Sequence, residues 1–148
     1  MKFHYPLQKI VDLKGSEKSM AEWEYAASLG QLKSEEDRLA ALRRERDEYE
    51  SALAGKAQQP TPLAELHLLQ DYISFLDERI SRQRQGVRDA EERVKQRQIA
   101  LRGKTVDEKV WLNARGKALH RFRQEMLQRE QNELDEIATR RAAAASRG

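Results

Sequence analysis

Three groups of residues have types and spacings that could support chemistry: a phosphate-loop-like tripeptide, the histidines and the clustered carboxylates. Gly103-Lys104-Thr105 matches the end of a phosphate-binding loop, but that motif needs an earlier glycine where this chain has Gln98. No strand pattern precedes the tripeptide either, as a phosphate loop requires. A local kink in a helix is therefore the better interpretation of this glycine, and no nucleotide site is predicted.

The histidines and carboxylates do not form a recognisable catalytic or metal site. His4, His67 and His120 are scattered, and none has a second histidine three or four residues away to share a metal ion. Acidic runs such as 35–37 and 133–136 need a concave, dry pocket before they can act as general acids or bases. We therefore predict no enzymatic activity, no cofactor and no metal.

A basic stretch from Arg79 to Lys104 holds nine bases and three acids, which is the pattern of a phosphate-contacting surface. The alternative is pairing with residues 13–38, which contain six acids and four bases. Pairing is favoured because the basic stretch has no interleaved aromatic residues to stack on nucleobases. The net charge of only +3 also argues against a nucleic-acid partner.

The composition points to long helices in place of a layered globular domain. Charged residues make up 36% of the chain, aromatic residues only 6%, and cysteine is absent, which excludes disulfides and cysteine-based sites. No segment approaches the roughly 20 apolar residues that a spanning helix needs. The first residues also lack the apolar run of a signal peptide. The sequence therefore predicts a protein without direct membrane insertion.

The three prolines, Pro6, Pro60 and Pro62, divide the chain, because proline is costly within a helix and tolerated in its first turn. Gly55 is predicted to end the first helix in a left-handed conformation, and Thr61 to cap the second. The result is a single elongated unit over residues 1–148, with a helix over 6–54, a turn over 55–61, a helix over 62–141 and a disordered tail over 142–148.

Apolar residues seven apart mark a coiled-coil seam in the second helix. The row consists of Leu66, Ile73, Ile80, Val87, Val94 and Leu101. The polar Gln83 and Arg97 interrupt the neighbouring row. After Leu101 the next apolar row is Leu112, Leu119 and Met126, with Phe122 between them, which predicts a four-residue insertion and allows a kink at 103–105.

These patterns predict an all-α fold, a two-helix antiparallel coiled-coil hairpin with a longer, overhanging second helix. At 1.5 Å per residue the arms would measure roughly 70 Å and roughly 120 Å. Folding at residue 58 or 59 would place Gly15 near Gly103 and Gly30 near Gly86. Residues 111–141 would overhang and, beyond the first few, have no partner within the chain, so their apolar side chains would need a surface on another protein.

The opening segment Phe3 to Leu13, the helical hairpin and the acidic closing segment Glu130 to Ala138 together resemble the FliJ family of flagellar export proteins. The resemblance implies a coiled-coil component of the bacterial flagellar type III protein export apparatus, with a role in motility and chemotaxis. Its implied partners are the flagellar export ATPase hexamer, which it would enter as a central stalk, the cytoplasmic domain of the export gate, and export chaperones that it would escort. Its implied location is the cytoplasm, peripherally associated with the inner face of the cell membrane at the flagellar base.

The resemblance also assigns candidate contact residues by position in the hairpin. The ATPase ring would contact the end that carries both termini, through Phe3, Tyr5, Leu7, Trp111, Leu119, Arg121, Phe122, Arg123 and Met126. The export gate would contact the middle of the hairpin, through Leu42, Tyr49, Tyr72, Phe75 and Leu76. Of the gate set, Leu42, Tyr49 and Leu76 also fit the seam, so Tyr72 and Phe75 are the better candidates for exposure.

Two alternative functions share the same patterns. The equivalent stalk of a virulence type III secretion system would have the same hairpin, and so would a coiled-coil adaptor protein unrelated to secretion.

Overall fold

A computed structural model describes residues 1–147 as two α-helices, α1 over Gln8–Ala57 and α2 over Leu63–Arg147. The described residues contain no strand, so the predicted all-α class is confirmed. The chain divides into a middle unit, Met20–Arg102, and a terminal unit, which consists of Met1–Ser19 and the chain from Gly103 onward. Neither helix, over residues 1–147, has a stretch apolar enough to cross a bilayer.

The middle unit is a helical hairpin with an apolar seam. Its fully or nearly buried side chains are Ala21, Leu39, Leu76, Ile80 and Ala90. Every member of the predicted row from Leu66 to Leu101 is buried or half-buried, so the predicted heptad register of this part of α2 is confirmed.

The two polar interruptions of this seam have partners on the facing helix. The Gln83 side-chain amide donates to the Glu35 backbone carbonyl at 2.9 Å and to its carboxylate at 2.6 Å. Arg97 lies 3.1 Å from the Glu24 carboxylate. Since both polar groups are satisfied, they are tolerated at positions where an apolar residue would otherwise be expected.

The turn between the helices lies further along the chain than predicted. α1 continues through Gly55 to Ala57, and the described glycines include none with positive φ, so the predicted left-handed stop is wrong. The Thr61 hydroxyl donates to the Lys56 carbonyl at 2.7 Å, so Thr61 satisfies the end of α1 and does not cap α2. The Pro62 carbonyl accepts the first helical hydrogen bond of α2, from the Leu66 amide at 3.3 Å.

The later turn changes which residues of the two helices face each other. A Cβ added to Gly15 would lie 3.2 Å from the Glu108 carboxylate, and one added to Gly86 would lie 3.2 Å from that of Glu35. A Cβ on Gly30 or Gly103 would meet nothing within 4 Å. The predicted facing of Gly15 with Gly103 and of Gly30 with Gly86 is therefore wrong.

In the terminal unit, polar residues occupy the helix face where an apolar row was predicted. α2 is assigned as one helix through residues 103–105, without a break. Glu108, Arg115 and Phe122 stand seven apart and are half-buried, whereas Leu112 is 45% exposed. The seven-residue row therefore continues from Leu101 without the predicted insertion, because Glu108 and Arg115 find polar partners on the N-terminal part of the chain. Leu119 and Met126, the other members of the predicted row, are half-buried as expected.

The last part of α2 is helical and exposed. The helix continues past the predicted end at Arg141 to Arg147, through the alanines at 142–145, which have the highest helix propensity. Gly148, the last residue of the predicted tail, lies outside the described residues. Every residue from Leu127 to Arg147 is exposed, so the segment without a partner begins after Met126 and not at Trp111.

Candidate functional site

An aromatic clasp fixes the N-terminal residues to α2 in the terminal unit. It consists of Phe3, Tyr5, Arg115 and Phe122. The Phe3 ring lies 5.4 Å from the Phe122 ring at an interplanar angle of 51°, and 6.3 Å from the Tyr5 ring. The Arg115 guanidinium lies 5.5 Å from the Phe3 ring centre, and its Nε donates to the Gln8 side-chain oxygen at 2.7 Å. Phe3 therefore packs against α2, with Tyr5 beside it, although both residues precede α1.

Beside the clasp, lysines and carboxylates join the two helices of the terminal unit. Lys14 lies 2.9 Å from Asp107, and this hydrogen bond raises the pKa of the Lys14 ammonium above its ordinary value. Lys18 lies 3.3 Å from Glu108. These contacts are solvent-accessible, so they define which residues face each other more than they stabilise the fold.

The nine residues predicted to contact an ATPase ring fall into two groups. Half-buried members pack within the terminal unit: Phe3, Tyr5, Trp111, Leu119, Phe122 and Met126. Exposed members, Leu7, Arg121 and Arg123, are free to meet a partner. The aromatic residues of this set therefore pack within the terminal unit, and its basic residues are exposed to solvent.

Two shallow grooves on this surface include residues that the sequence did not single out. One is lined by Leu112, Asn113, Gly116, Lys117, His120 and Arg121. The other is lined by Met1, Phe122, Arg123, Met126, Leu127 and Glu130. Both grooves are open to solvent. Among the described residues there is no group of three side chains that could bind a metal ion. The first groove was missed because Leu112 was assigned to a buried row. The heptad continuation through Glu108 and Arg115 to Phe122 would have placed it on the surface.

Charge changes sign along α2 between residues 115 and 136. Arg115, Lys117, Arg121 and Arg123 are the only formally charged residues of 115–123, whereas Glu130, Glu133, Asp135 and Glu136 are the only ones of 130–136. Leu127, Leu134 and Ile137 lie in or beside the acidic zone and are 59%, 61% and 47% exposed. This segment therefore combines apolar side chains with one basic and one acidic zone.

The middle unit carries an aromatic cluster made of Tyr49, Tyr72 and Phe75. The Tyr72 ring lies 4.5 Å from the Tyr49 ring across the helix pair and 5.9 Å from the Phe75 ring. The Arg79 guanidinium lies 5.7 Å from the Phe75 ring centre. The structure thus brings three of the predicted gate-contact residues together on one surface.

The Tyr72 hydroxyl donates a hydrogen bond to the Glu45 carboxylate. This bond raises the pKa of the Tyr72 phenol, and partial desolvation and the negative charge of Glu45 add to the effect. The remaining gate residues differ in exposure. Leu76 is 0% exposed and Leu42 is half-buried, whereas Phe75 is 49% exposed. Phe75 is therefore the member that offers most surface to a partner, and Leu76 holds the helices together.

The basic stretch from Arg79 to Lys104 is partly neutralised. Arg97 pairs with Glu24, and Lys104 lies 3.3 Å from Glu17, as the pairing interpretation expects. Arg79 stacks on Phe75 instead. Other bases of this stretch point to solvent: Arg82, Arg84, Arg88, Arg93, Lys95 and Arg102.

The chain matches a protein-family model and a solved structure. A family model described as flagellar FliJ protein matches residues 2–147. The chain is also similar to the solved structure of CT670 from Chlamydia trachomatis, described as a YscO homolog, with a TM-score of 0.71 and 18% sequence identity. That alignment covers 93% of this chain and 94% of the other, and it shows a shared fold. No curated protein matches the sequence.

Proposed function

Since the chain belongs to the FliJ family, we propose that it is a coiled-coil component of flagellar type III protein export that binds the hexameric export ATPase as a central stalk. The terminal unit would enter the ring, and the middle unit would contact the cytoplasmic domain of the export gate. Escort of export chaperones is part of the same proposal, and the site of action would be the cytoplasmic face of the membrane at the flagellar base.

One observation carries the ATPase part of this proposal. Every described residue from Leu127 onward is exposed although the segment is helical and carries Leu127, Leu134 and Ile137. A helix with an uncovered apolar face is stabilised when another surface covers it. Arg121 and Arg123 stand next to this segment and add positive charge for recognition of a partner's carboxylates.

The test is the turnover rate of the purified export ATPase with and without this protein. We expect the intact chain to raise the rate, and Arg121→Glu with Arg123→Glu, or removal of residues 127–148, to abolish the increase. Phe122→Ala should also reduce it, by releasing the clasp. The matched control is Arg82→Glu with Arg84→Glu, which reverses two exposed charges of the middle unit and should leave the stimulation intact. Absence of stimulation by the intact chain would refute the stalk proposal.

The gate part of the proposal depends on Phe75, the most exposed member of the aromatic cluster. Phe75→Ala should weaken binding to the purified cytoplasmic domain of the gate, because an exposed aromatic side chain supplies large contact area. Leu68→Ala is the control, since Leu68 is 70% exposed and lies on the same helix. Equal affinity of the two variants would assign the contact elsewhere.

The second candidate function is the equivalent stalk of a virulence secretion system. The observation that supports it is the fold shared with the Chlamydia trachomatis YscO homolog. The same turnover assay separates the two, with a flagellar and an injectisome ATPase tested side by side. Stimulation of only the injectisome enzyme would favour this candidate.

A further inference from the structure

Residues 112–137 of α2 have a composition that complements itself. Leu112, Gly116, Leu127, Leu134 and Ile137 project from about one quarter of the helix circumference, beside the face that carries Phe122. The basic zone, 115–123, lies on the N-terminal side of Leu127, and the acidic zone, 130–136, lies on its C-terminal side.

We propose that this segment pairs with the same segment of a second copy of the chain, in antiparallel orientation, about a twofold axis near Leu127. In that orientation the basic zone of each copy lies along the acidic zone of the other, whereas a parallel pair would place like charges together. Leu127 of each copy lies against Leu127 of the other. This inference goes beyond the proposed stalk function, and because the pairing uses the same exposed side chains as the proposed ATPase contact, Leu127, Leu134 and Ile137, the two contacts exclude each other on one chain.

The structure provides space for such a pairing at both ends of the contact. A Cβ added to Gly116 would meet nothing within 4 Å, so the helix surface is open there. An antiparallel pair centred near Leu127 brings Ile137 of the second copy to this opening, and a large side chain opposite a glycine allows close approach of two helices. By the twofold symmetry, Ile137 of the first copy lies at Gly116 of the second copy at the opposite end of the contact.

The clasp leaves this face uncovered within one chain. Phe3 occupies the neighbouring face of α2, against Phe122, whereas Leu112 and Leu127 remain 45% and 59% exposed. Because the apolar row is narrow and its charges are solvated, the pairing should be weak, concentration-dependent and sensitive to salt.

Sedimentation equilibrium over a wide range of protein concentration tests the pairing. The mass of the intact chain should rise from 17.2 kDa towards twice that value, and added salt should shift the rise to higher concentration. Leu127→Glu should remain at 17.2 kDa, and Leu68→Glu, an equally polar change at an exposed leucine of the middle unit, should behave as the intact chain. Circular dichroism establishes that each variant retains its helices. A constant mass of 17.2 kDa for the intact chain would overturn the proposal.

Thiol cross-linking tests the orientation, because the chain has no cysteine of its own. Gly116→Cys and Ile137→Cys chains are treated with a short bis-maleimide, separately and as a mixture. An antiparallel pair should give a covalent dimer in the mixture and little in either chain alone. A dimer from Gly116→Cys chains alone would show parallel pairing and overturn the proposal.

Discussion

The middle and terminal units use the same two helices but are stabilised differently. The middle unit contains the buried apolar residues Ala21, Leu39, Leu76, Ile80 and Ala90, whereas Val11 is the only buried apolar residue of the terminal unit as far as it is described. The terminal unit relies on contacts such as Lys14 with Asp107, and on the aromatic clasp. Apolar burial contributes more to stability than exposed ion pairs do.

The two units therefore differ in how far their apolar side chains are covered within the chain. In the middle unit the polar seam residue Gln83 has its hydrogen-bond partner on the facing helix of the same chain. A helix whose apolar side chains stay in water, as at Leu134, gains stability when another surface covers it. The buried apolar residues of α2, Leu76, Ile80 and Ala90, therefore all lie in the middle unit, whereas the helix is exposed throughout from Leu127 to Arg147.

The largest expected effect that tests this comparison is at the centre of the middle unit. Leu76→Ala should lower the free energy of unfolding by about 2–5 kcal/mol, because Leu76 is fully buried and its truncation leaves a cavity. Urea denaturation followed by far-UV circular dichroism measures it. Leu134→Ala in the terminal unit, where the side chain is 61% exposed, should change stability by less than about 0.5 kcal/mol. Similar losses from both variants would remove the distinction between the units.

An intermediate effect is expected at the clasp. A double-mutant cycle with Phe3→Ala and Phe122→Ala should give a coupling energy of about 0.5–1.5 kcal/mol, the range for an aromatic pair. The control cycle combines Phe3→Ala with Leu134→Ala, whose side chains share no partner, and should be additive within about 0.5 kcal/mol. Additivity in both cycles would mean that the clasp does not fix the N-terminal residues.

The smallest effect is a shift in titration at the aromatic cluster. The hydrogen bond to Glu45 raises the pKa of Tyr72 in the folded chain above the ordinary value of 10.0. The stabilisation from this bond is therefore complete below pH 10.0 and is lost as pH rises through the folded-state pKa. Ultraviolet titration of the intact chain against Tyr72→Phe isolates the phenol, and Glu45→Gln should lower its pKa because the acceptor charge is removed. An unchanged pKa in Glu45→Gln would contradict this assignment.

Much of the fold could be predicted from the sequence, because prolines and heptad spacing act locally. The row from Leu66 to Leu101 predicted the seam of the middle unit, and the prolines predicted the number of helices. The position of the turn could not be predicted in the same way. Gly55 has the residue type of a helix stop but remains helical, while the Thr61 hydroxyl satisfies the carbonyl of Lys56 at the end of α1.

The terminal unit was harder to predict because its packing depends on residues far apart in sequence. Glu108 and Arg115 break the apolar pattern, and only the positions of Lys18 and Gln8 explain why they lie between the helices. The row at Leu112 was predicted from hydrophobicity alone, and hydrophobicity does not reveal that polar residues such as Glu108 have partners on the facing helix. The exposed charges at Arg121 and Arg123 were identified, although the groove beside them was not.

The open glycines have a mechanical consequence. Gly30 and Gly103 lie within helices, and a side chain at either position would meet nothing within 4 Å. Alanine at each position would stabilise its helix by about 1 kcal/mol, since glycine loses more backbone entropy on folding. The packing therefore leaves room for Gly30→Ala and Gly103→Ala, which should limit fraying and bending of both helices.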